Sequence, residues 1–173
     1  MSRLEQIVEP LLAWYEKNAR DLPWRHGVTP YRVWISEIML QQTRVEAVKG
    51  YFERFMQALP DVESLSSVEE KRLLKLWEGL GYYSRARNLK RAAALIMERY
   101  GGALPRSCDE LLKLPGIGPY TAGAIASIAY GLAEPAVDGN VLRVLTRLED
   151  DHSDIADAAV KRAAEKKLRA VIP

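Results

Sequence analysis

The chain has 173 residues, of which 48% are hydrophobic and 28% are charged, and its formal net charge is +2. This length can build one good hydrophobic core, or one complete lobe and part of another. The composition is that of a globular protein and excludes a disordered chain. The small net charge does not by itself indicate nucleic-acid binding.

No stretch approaches the roughly 20 consecutive apolar residues of a membrane span, and the N-terminus lacks a signal-peptide pattern. We therefore expect a cytoplasmic protein without a membrane partner. The single cysteine, Cys108, excludes a disulfide within one chain and a metal site built from several cysteines. Its simplest interpretation is a small residue in a short helix.

Apolar residues recur at helical spacing almost throughout, and no segment alternates with the period of a strand. The pattern predicts an all-α protein. The first helix carries one apolar stripe, in which Pro10 either kinks the helix or marks its first turn. The stripe consists of Leu4, Ile7, Val8, Leu11, Leu12 and Tyr15.

Capping signals predict where the next helices begin. Thr29, placed before a proline, predicts the N-cap of a second helix over about 30–42. Apolar residues at helical spacing define a third helix over 45–56. Ser67 and Glu70 have the spacing of a capping box that opens the fourth helix.

Glycine and a second capping signal organise the later helices. A fifth helix over about 86–100 is predicted to stop at Gly101. Ser107 and Glu110 repeat the capping-box spacing and predict the start of a short helix. The remaining predicted helices cover 121–130, which is rich in small residues, 140–148 and 155–171.

The segment Leu114-Pro115-Gly116-Ile117-Gly118 is the most informative stretch of the chain. Two glycines two residues apart form a turn that lets backbone N–H groups approach an anion, and the next helix begins there with its positive end. A phosphate group fits this geometry. Asp138 follows Gly118 by twenty residues and stands at the entrance of another helix. Taken alone, both features also fit an ordinary helical hairpin followed by an aspartate N-cap.

The combination of these features, with Tyr120-Thr121-Ala122 after the glycines, resembles the helix-hairpin-helix, Gly/Pro-rich loop and aspartate signature of base-excision DNA glycosylases. Three further segments resemble the adenine-specific branch of this family, and the resemblance extends from about Leu11 to about Leu148. These segments are Leu22-Pro23-Trp24-Arg25, WISEIMLQQT from Trp34 to Thr43, and GLGYYSRARNL from Gly79 to Leu89.

The resemblance implies the helix-hairpin-helix DNA glycosylase fold, with a six-helix barrel lobe at 22–131 that contains the hairpin at about 107–130. A second helical lobe would combine 1–21 with 132–173 and would be incomplete. Relatives continue with further helices, a four-cysteine loop that binds a [4Fe-4S] cluster, and a C-terminal domain. The cysteine ligands of that cluster are absent from this chain, so we expect a truncated form of a longer enzyme.

Cleavage of an N-glycosidic bond needs an acid for the leaving base and an anion near the sugar, because the sugar carbon acquires oxocarbenium character. The resemblance assigns these roles to Glu37 and Asp138. Apolar neighbours predict a raised pKa for Glu37, and a helix N-terminus favours a carboxylate at Asp138. Bifunctional relatives carry lysine where this chain has Tyr120, so the resemblance implies a monofunctional glycosylase. Glu37 also fits the solvent-facing side of a half-buried helix, and Tyr120 also fits a partly buried tyrosine of the core.

A base inside a duplex must be extruded before it can enter a pocket, and the gap in the stack must be filled. By resemblance, Gln42 and Tyr82 are the candidate wedges, although Tyr82 also fits an aromatic residue that anchors a turn. Trp24 also fits a core residue, and Arg25 fits a surface charge. The remaining candidate DNA- and substrate-binding residues are Trp24, Arg25 and Leu40 at the adenine pocket, Asn140 beside the aspartate, and Gln41, Gly116 and Gly118.

Two further features bear on DNA binding. The backbone carbonyls of Leu112, Leu114 and Ile117 resemble the set that holds a Na⁺ or K⁺ ion beside the phosphate in relatives. Of the two basic clusters, we expect only the first to contact DNA, because charge runs are usually solvated helix faces. This first cluster consists of Arg85, Arg87, Lys90 and Arg91.

The resemblance implies an enzyme, associated with the nucleoid, that acts on double-stranded DNA and removes adenine mispaired with 8-oxoguanine or guanine. A thymine/guanine mismatch glycosylase shares the hairpin, the tyrosine and both acids, and is the alternative enzyme. A DNA-binding module without catalysis is a second alternative. A third is an inert fragment that self-associates in place of the missing lobe, through apolar faces around Leu11, Leu12, Leu168 and Val171.

Overall fold

The computed structural model describes residues 2–173, and these residues form helices and loops without a β-strand. The all-α prediction is confirmed. None of the helices in this range combines the length and the apolar character that crossing a membrane requires. The α-helices are α1 (Arg3–Asn18), α2 (Pro30–Leu40), α3 (Val45–Ala58), α4 (Val62–Ser67), α5 (Glu70–Trp77), α6 (Ser84–Tyr100), α7 (Cys108–Leu111), α8 (Pro119–Ala124), α9 (Gly139–Glu149) and α10 (Ala158–Arg169). A short 3₁₀ helix, Pro23–Arg25, precedes α2, and a π-helical segment, Ile125–Ala129, continues α8.

Several helix ends follow the predicted signals. The Thr29 hydroxyl accepts the backbone N–H of Arg32, with proline in the first turn of α2. Helix α6 ends at Gly101, which adopts the left-handed conformation with φ of 61°. Pro10 lies inside α1, which already begins at Arg3, so the alternative that this proline marks the first turn is wrong.

The predicted capping box between Ser67 and Glu70 is also wrong. Ser67 is the last residue of the short helix α4, and its hydroxyl donates to the Glu63 carbonyl. The box forms at the start of α4 instead, where the Asp61 carboxylate accepts the Ser64 N–H at 2.8 Å and the Ser64 hydroxyl accepts the Asp61 N–H. Apolar periodicity did not reveal α4 as a separate short helix. The serine at its C-terminal end was therefore interpreted as the N-cap of the next helix.

The second predicted box is corrected in part. Ser107 is the N-cap of α7, but its side chain makes no capping hydrogen bond. Glu110 instead forms an ion pair with Lys113 and accepts a hydrogen bond from the Tyr100 hydroxyl at 2.6 Å. These contacts connect the end of α6 to α7, the first helix of the hairpin.

Two separate hydrophobic clusters stabilise the fold. The larger is built from the 3₁₀ helix, from α2 to α8 and from the π-helical segment, and its largest fully buried side chains include Trp34, Trp77 and Phe52. The smaller joins Leu4 of α1 to α9, α10 and Val137. The division into a lobe at 22–131 and a second lobe from 1–21 and 132–173 stays a prediction.

Only one end of the predicted apolar stripe on α1 is buried. Leu4 belongs to the smaller cluster, whereas Leu11 and Leu12 are 53% and 42% exposed. At the other end of the chain, Leu168 and Val171 pack against the smaller cluster and are half-buried. Self-association through α1 stays a prediction. The exposed apolar surface that it would use is formed by Leu11 and Leu12 in the middle of that helix.

The segment that follows the π-helical turn passes close to α8. A Cβ atom added to Gly123 would lie 2.3 Å from the carbonyl oxygen of Pro135, so a residue with a side chain cannot occupy this position without backbone movement. Because this segment leads directly to Asp138, the close approach helps to fix the position of that acid.

We expect Gly123→Ala to lower the free energy of unfolding by about 1–3 kcal/mol, because the added methyl group overpacks against backbone. Urea denaturation measures this loss. Gly118→Ala is the matched control, since a Cβ atom at Gly118 has no neighbour within 4 Å and its φ is −96°. Equal stabilities of the two variants would contradict the close-approach argument.

Candidate active site

Glu37 lies on α2 and is half-buried at the wall of a cavity of about 330 Å³. Burial is the main cause that raises the pKa of its carboxyl above the usual value, and the negative charge of Asp138 adds to this increase. A side-chain hydrogen bond with Tyr120 acts in the opposite direction. A raised pKa is what a carboxylic acid needs to serve as a proton donor near neutral pH.

The same cavity is lined by the three residues predicted to form a base pocket, Trp24, Arg25 and Leu40. Trp24 is 8% exposed and packs edge-on against Phe52, so it belongs to the core and to the cavity wall at once. Arg25 is exposed, and its guanidinium lies over the Tyr15 ring at 5.3 Å. The cavity therefore combines apolar walls with two cations, because Arg20 also lines it.

Tyr120 lies in the first turn of α8 and connects the two acids electrostatically. Burial raises the pKa of its phenol, and the charges of Glu37 and Asp138 raise it further. The phenol therefore stays protonated and available as a hydrogen-bond donor. Since the charge of Asp138 raises the pKa of both Glu37 and Tyr120, and a hydrogen bond joins Tyr120 to Glu37, the three residues form one neighbourhood.

Asp138 is the N-cap of α9, as predicted. Its Oδ1 accepts the backbone N–H groups of Asn140 at 2.9 Å and Val141 at 2.8 Å, and its Oδ2 accepts the Asn140 side-chain amide at 2.9 Å. The Asn140 amide oxygen in turn accepts a hydrogen bond from Arg143. Three N–H donors directed at one carboxylate suit an anion and hold it in one orientation.

The hairpin consists of α7, a loop that carries two exposed glycines, and α8. Gly116 is left-handed with φ of 80°, and a Cβ atom there would meet the Asn88 Cβ at 2.9 Å. Gly118 is extended and caps α8. The first N–H groups of a helix have no acceptor within the helix, so this loop offers backbone donors of the kind that bind phosphate.

The two candidate wedges share an unusual backbone. Gln42 and Tyr82 are both left-handed, with φ of 56° and 46°, a conformation that is rare for residues other than glycine. Both side chains are exposed, and both line one surface depression of about 450 Å³. Backbone of this kind persists only where the surrounding structure enforces it, and it is often found at ligand-binding sites. Asp150, at the end of α9, has the same conformation as an ordinary helix C-cap.

The assembled site can be compared with known proteins. A family model described as HhH-GPD superfamily base excision DNA repair protein matches residues 35–170. The chain belongs to this HhH-GPD superfamily. The matched range includes Glu37, Tyr120 and Asp138, so it contains all three candidate catalytic residues.

Individual relatives agree with the HhH-GPD assignment. Human adenine DNA glycosylase is 45% identical over 161 residues, which represent 88% of this chain and 30% of the human protein. The structure of a thermostable thymine-DNA glycosylase has a TM-score of 0.87 at 28% identity and covers 99% of this chain and 79% of its own. The structure of endonuclease III in a trapped covalent DNA intermediate, an estranged-adenine complex, has a TM-score of 0.81 at 26% identity. This match covers 100% of this chain and 79% of the endonuclease III chain. The chain spans 28–45% of the length of four curated adenine DNA glycosylases.

Sequence reasoning missed several parts of the cavity wall in this HhH-GPD chain, among them Tyr15 and Ile128. Tyr15 was assigned to the apolar stripe of the first helix, but it is 45% exposed and lines the cavity. Ile128 lies in the π-helical segment, is 55% exposed, and also lines the cavity. The sequence gives no signal for Ile128, because a π-helical turn changes the direction of side chains without changing apolar periodicity.

One predicted DNA contact is wrong. Arg85 is 9% exposed, and its guanidinium donates hydrogen bonds to backbone carbonyls inside the protein. Arg87 on the same helix is exposed and pairs with Glu70 at 2.8 Å. Four residues after Arg85, Leu89 is also buried, because both residues lie on the inner face of α6. The sequence pattern treated the basic residues at 85–91 as one surface cluster and did not separate the inner face of α6 from its outer face. Contacts of Arg87, Lys90 and Arg91 with DNA stay predictions.

The residues present do not fit a [4Fe-4S] cluster, because Cys108 is the only cysteine of the sequence. Within residues 2–173, no group of three or more His, Cys, Asp or Glu side chains could hold a metal ion. The hairpin carbonyls remain candidate ligands for a monovalent cation. The Leu114 carbonyl accepts only the Ile117 N–H in the loop, at 3.2 Å, and a carbonyl oxygen has a second lone pair. The Na⁺ or K⁺ site at Leu112, Leu114 and Ile117 stays a prediction.

The electrostatic coupling at Glu37 can be measured by carboxyl-carbon NMR titration. Asp138→Asn should lower the pKa of Glu37, because it removes the neighbouring charge while asparagine preserves the N-cap. Tyr120→Phe should raise the pKa of Glu37, because it removes the opposing hydrogen bond. Asp109→Asn, on the exposed side of α7, is the control and should leave the titration unchanged. Shifts of the opposite sign would contradict this arrangement.

Proposed function

We propose that this chain is the catalytic region of a DNA glycosylase that removes adenine mispaired with 8-oxoguanine or guanine in double-stranded DNA. The observation that carries the proposal is the grouping of Glu37, a carboxyl of raised pKa beside a cavity, with Asp138, a carboxylate fixed at a helix N-terminus. Identity of 45% to human adenine DNA glycosylase supports the choice of base.

In this reaction the bond between the sugar C1′ and the base nitrogen breaks, and its electron pair leaves with the base. Glu37 donates a proton to a ring nitrogen of adenine, which makes the base a better leaving group. Asp138 stabilises the positive charge that develops on the sugar. Water then bonds to C1′ and gives its proton to the Glu37 carboxylate, which restores the acid.

Tyr120 determines the type of product in this proposal. A lysine amine could attack C1′ and form a Schiff base, whereas a phenol cannot. The hydrogen bond between Tyr120 and Glu37 instead gives the phenol a role in orienting the acid or the water. The product would be an abasic site in an unbroken strand.

The remaining site residues fit the binding of an extruded base. Trp24 and Leu40 supply apolar surface for the adenine ring, and Arg25 supplies hydrogen-bond donors at the edge of the cavity. Gln42 and Tyr82 are exposed where they could fill the gap in the stack. Gly116 and Gly118 would hold the backbone phosphate with the hairpin cation. Action at the nucleoid follows from such a substrate.

A thymine/guanine mismatch glycosylase is the second candidate. It is favoured by one observation, the TM-score of 0.87 to a thermostable thymine-DNA glycosylase. The segments from Trp34 to Thr43 and from Gly79 to Leu89 resemble the adenine-specific branch and argue for adenine.

Incubation of the chain with labelled mismatched duplexes, followed by alkali, tests the proposal. We expect strand breaks at adenine opposite 8-oxoguanine or guanine. Asp138→Asn and Glu37→Gln should each lower the single-turnover rate by about 10²–10⁴-fold and leave duplex affinity within a few fold.

Asp109→Asn is the matched control for this experiment and should retain the rate of the unmodified chain, because it removes an acid outside the site. Release of thymine alone would replace the proposal with the second candidate. Duplex binding without release of either base would support a non-catalytic DNA-binding module. Equal loss of affinity and rate in Asp138→Asn would assign this residue a purely structural role.

The pH dependence of the rate follows from the direction of the Glu37 shift. Only the protonated acid donates, so the single-turnover rate should fall as the pH rises through the raised pKa of Glu37. Tyr120→Phe should move this descending limb to higher pH, because it removes the interaction that lowers the pKa. A pH profile of the two proteins measures the shift, and identical limbs would contradict it.

A further inference from the structure

The buried Arg85 side chain joins two loops that are far apart in the sequence. Its Nη1 donates to the carbonyls of Ile38 at 2.8 Å, Met39 at 3.1 Å and Gln41 at 2.6 Å, at the C-terminal end of α2. Its Nη2 donates to the carbonyls of Leu80 at 3.0 Å and Gly81 at 3.2 Å, and to the Thr43 hydroxyl at 3.4 Å. One planar guanidinium therefore holds both segments at a fixed separation.

The chemistry of this site differs from that of an ordinary buried ion pair. Within residues 2–173, no carboxylate pairs with Arg85, and its charge is compensated by carbonyl dipoles at a helix C-terminus. The Nε atom of the same guanidinium is buried without a partner. Leaving this donor unpaired costs free energy, as it does at Arg32 Nε, which is also buried without a partner. The feature particular to Arg85 is that one guanidinium donates to both segments, and this arrangement points to a positional role.

The two joined segments carry the two exposed left-handed residues described above. Gln42 lies between the Gln41 carbonyl and the Thr43 hydroxyl, which both accept from Arg85. Tyr82 follows the Gly81 carbonyl directly, and its ring lies 5.6 Å from the guanidinium carbon. Trp77 donates from its indole to the same Gly81 carbonyl at 3.1 Å, so this loop is held from two sides.

We propose that Arg85 is a positioning residue that holds the Gln42 and Tyr82 loops at the separation required to enter the DNA base stack. This inference rests on the proposed function, because it assigns both loops to base extrusion. Lysine cannot replace arginine here, since one ammonium group cannot direct two separate donor pairs at two loops. Displacement of a positioning group by about 1 Å can lower a rate by about 10²-fold.

The first test uses the chain without DNA, so it does not depend on glycosylase activity. Arg85→Lys should increase amide hydrogen exchange at 41–43 and at 79–83 together, and leave the inner face of α6 near Leu89 protected. Arg99→Lys is the matched control, because Arg99 is exposed near the end of the same helix. Increased exchange in only one loop, or across all of α6, would overturn the proposal.

The second test measures extrusion on a duplex in which 2-aminopurine is adjacent to the mismatched adenine. At a temperature where circular dichroism shows both variants folded, Arg85→Lys should lose most of the fluorescence increase that the unmodified chain produces. Its single-turnover rate should fall about 10–100-fold on the mismatch, with a much smaller loss on a substrate whose target adenine lies opposite an abasic site. Extrusion is easier in that substrate, because the target adenine has no partner base to separate from.

The outcomes of these tests separate the two proposals. If the unmodified chain releases no adenine, the proposed function fails, while the hydrogen-exchange result still decides the role of Arg85. If Arg85→Lys loses the same factor on both substrates, Arg85 does not act through extrusion and the proposal is overturned. If the lysine variant does not fold, Arg85→Gln replaces it in both tests. If neither variant folds, Arg85 is required for folding and the proposal is overturned.

Discussion

Desolvation of one carboxyl group beside another acid is the constraint around which this molecule is organised. Burial and the charge of Asp138 raise the pKa of Glu37, and the hydrogen bond with Tyr120 only partly opposes this increase. A carboxyl with a raised pKa makes the native state bind more protons than the unfolded chain, so it lowers stability as the pH rises through that pKa.

The three candidate catalytic groups come from structurally different positions, and each is fixed by a different physical device. Glu37 is fixed by the packing of α2, which is buried on most of its surface. Asp138 is fixed by its capping hydrogen bonds and by the close approach of its preceding segment to Gly123. Tyr120 is fixed by the first turn of α8 in the hairpin. Independent supports allow the site to be rigid although its parts lie far apart in the sequence.

Local signals in the sequence were sufficient where one residue controls its own surroundings. Thr29, Gly101 and Asp138 act as predicted, because a cap depends on only a few neighbouring backbone groups. Trp24, Arg25 and Leu40, which the family resemblance assigns to the adenine pocket, line one cavity with Glu37, and their role in binding the base stays a prediction. The failures are different in kind. The role of Arg85 depends on carbonyls more than forty residues away, and Ile128 depends on an irregular helical turn, so neither could be found from local pattern.

The π-helical turn over Ile125–Ala129 has a consequence for how this cavity could change in evolution. Such a turn is equivalent to one residue inserted in an α-helix, and each residue of an α-helix turns by about 100°. Loss of one residue here would restore a regular helix, rotate Ile128 away from the cavity and bring a different side chain to its wall. A single codon deletion would therefore reshape the wall of the cavity without replacing either acid.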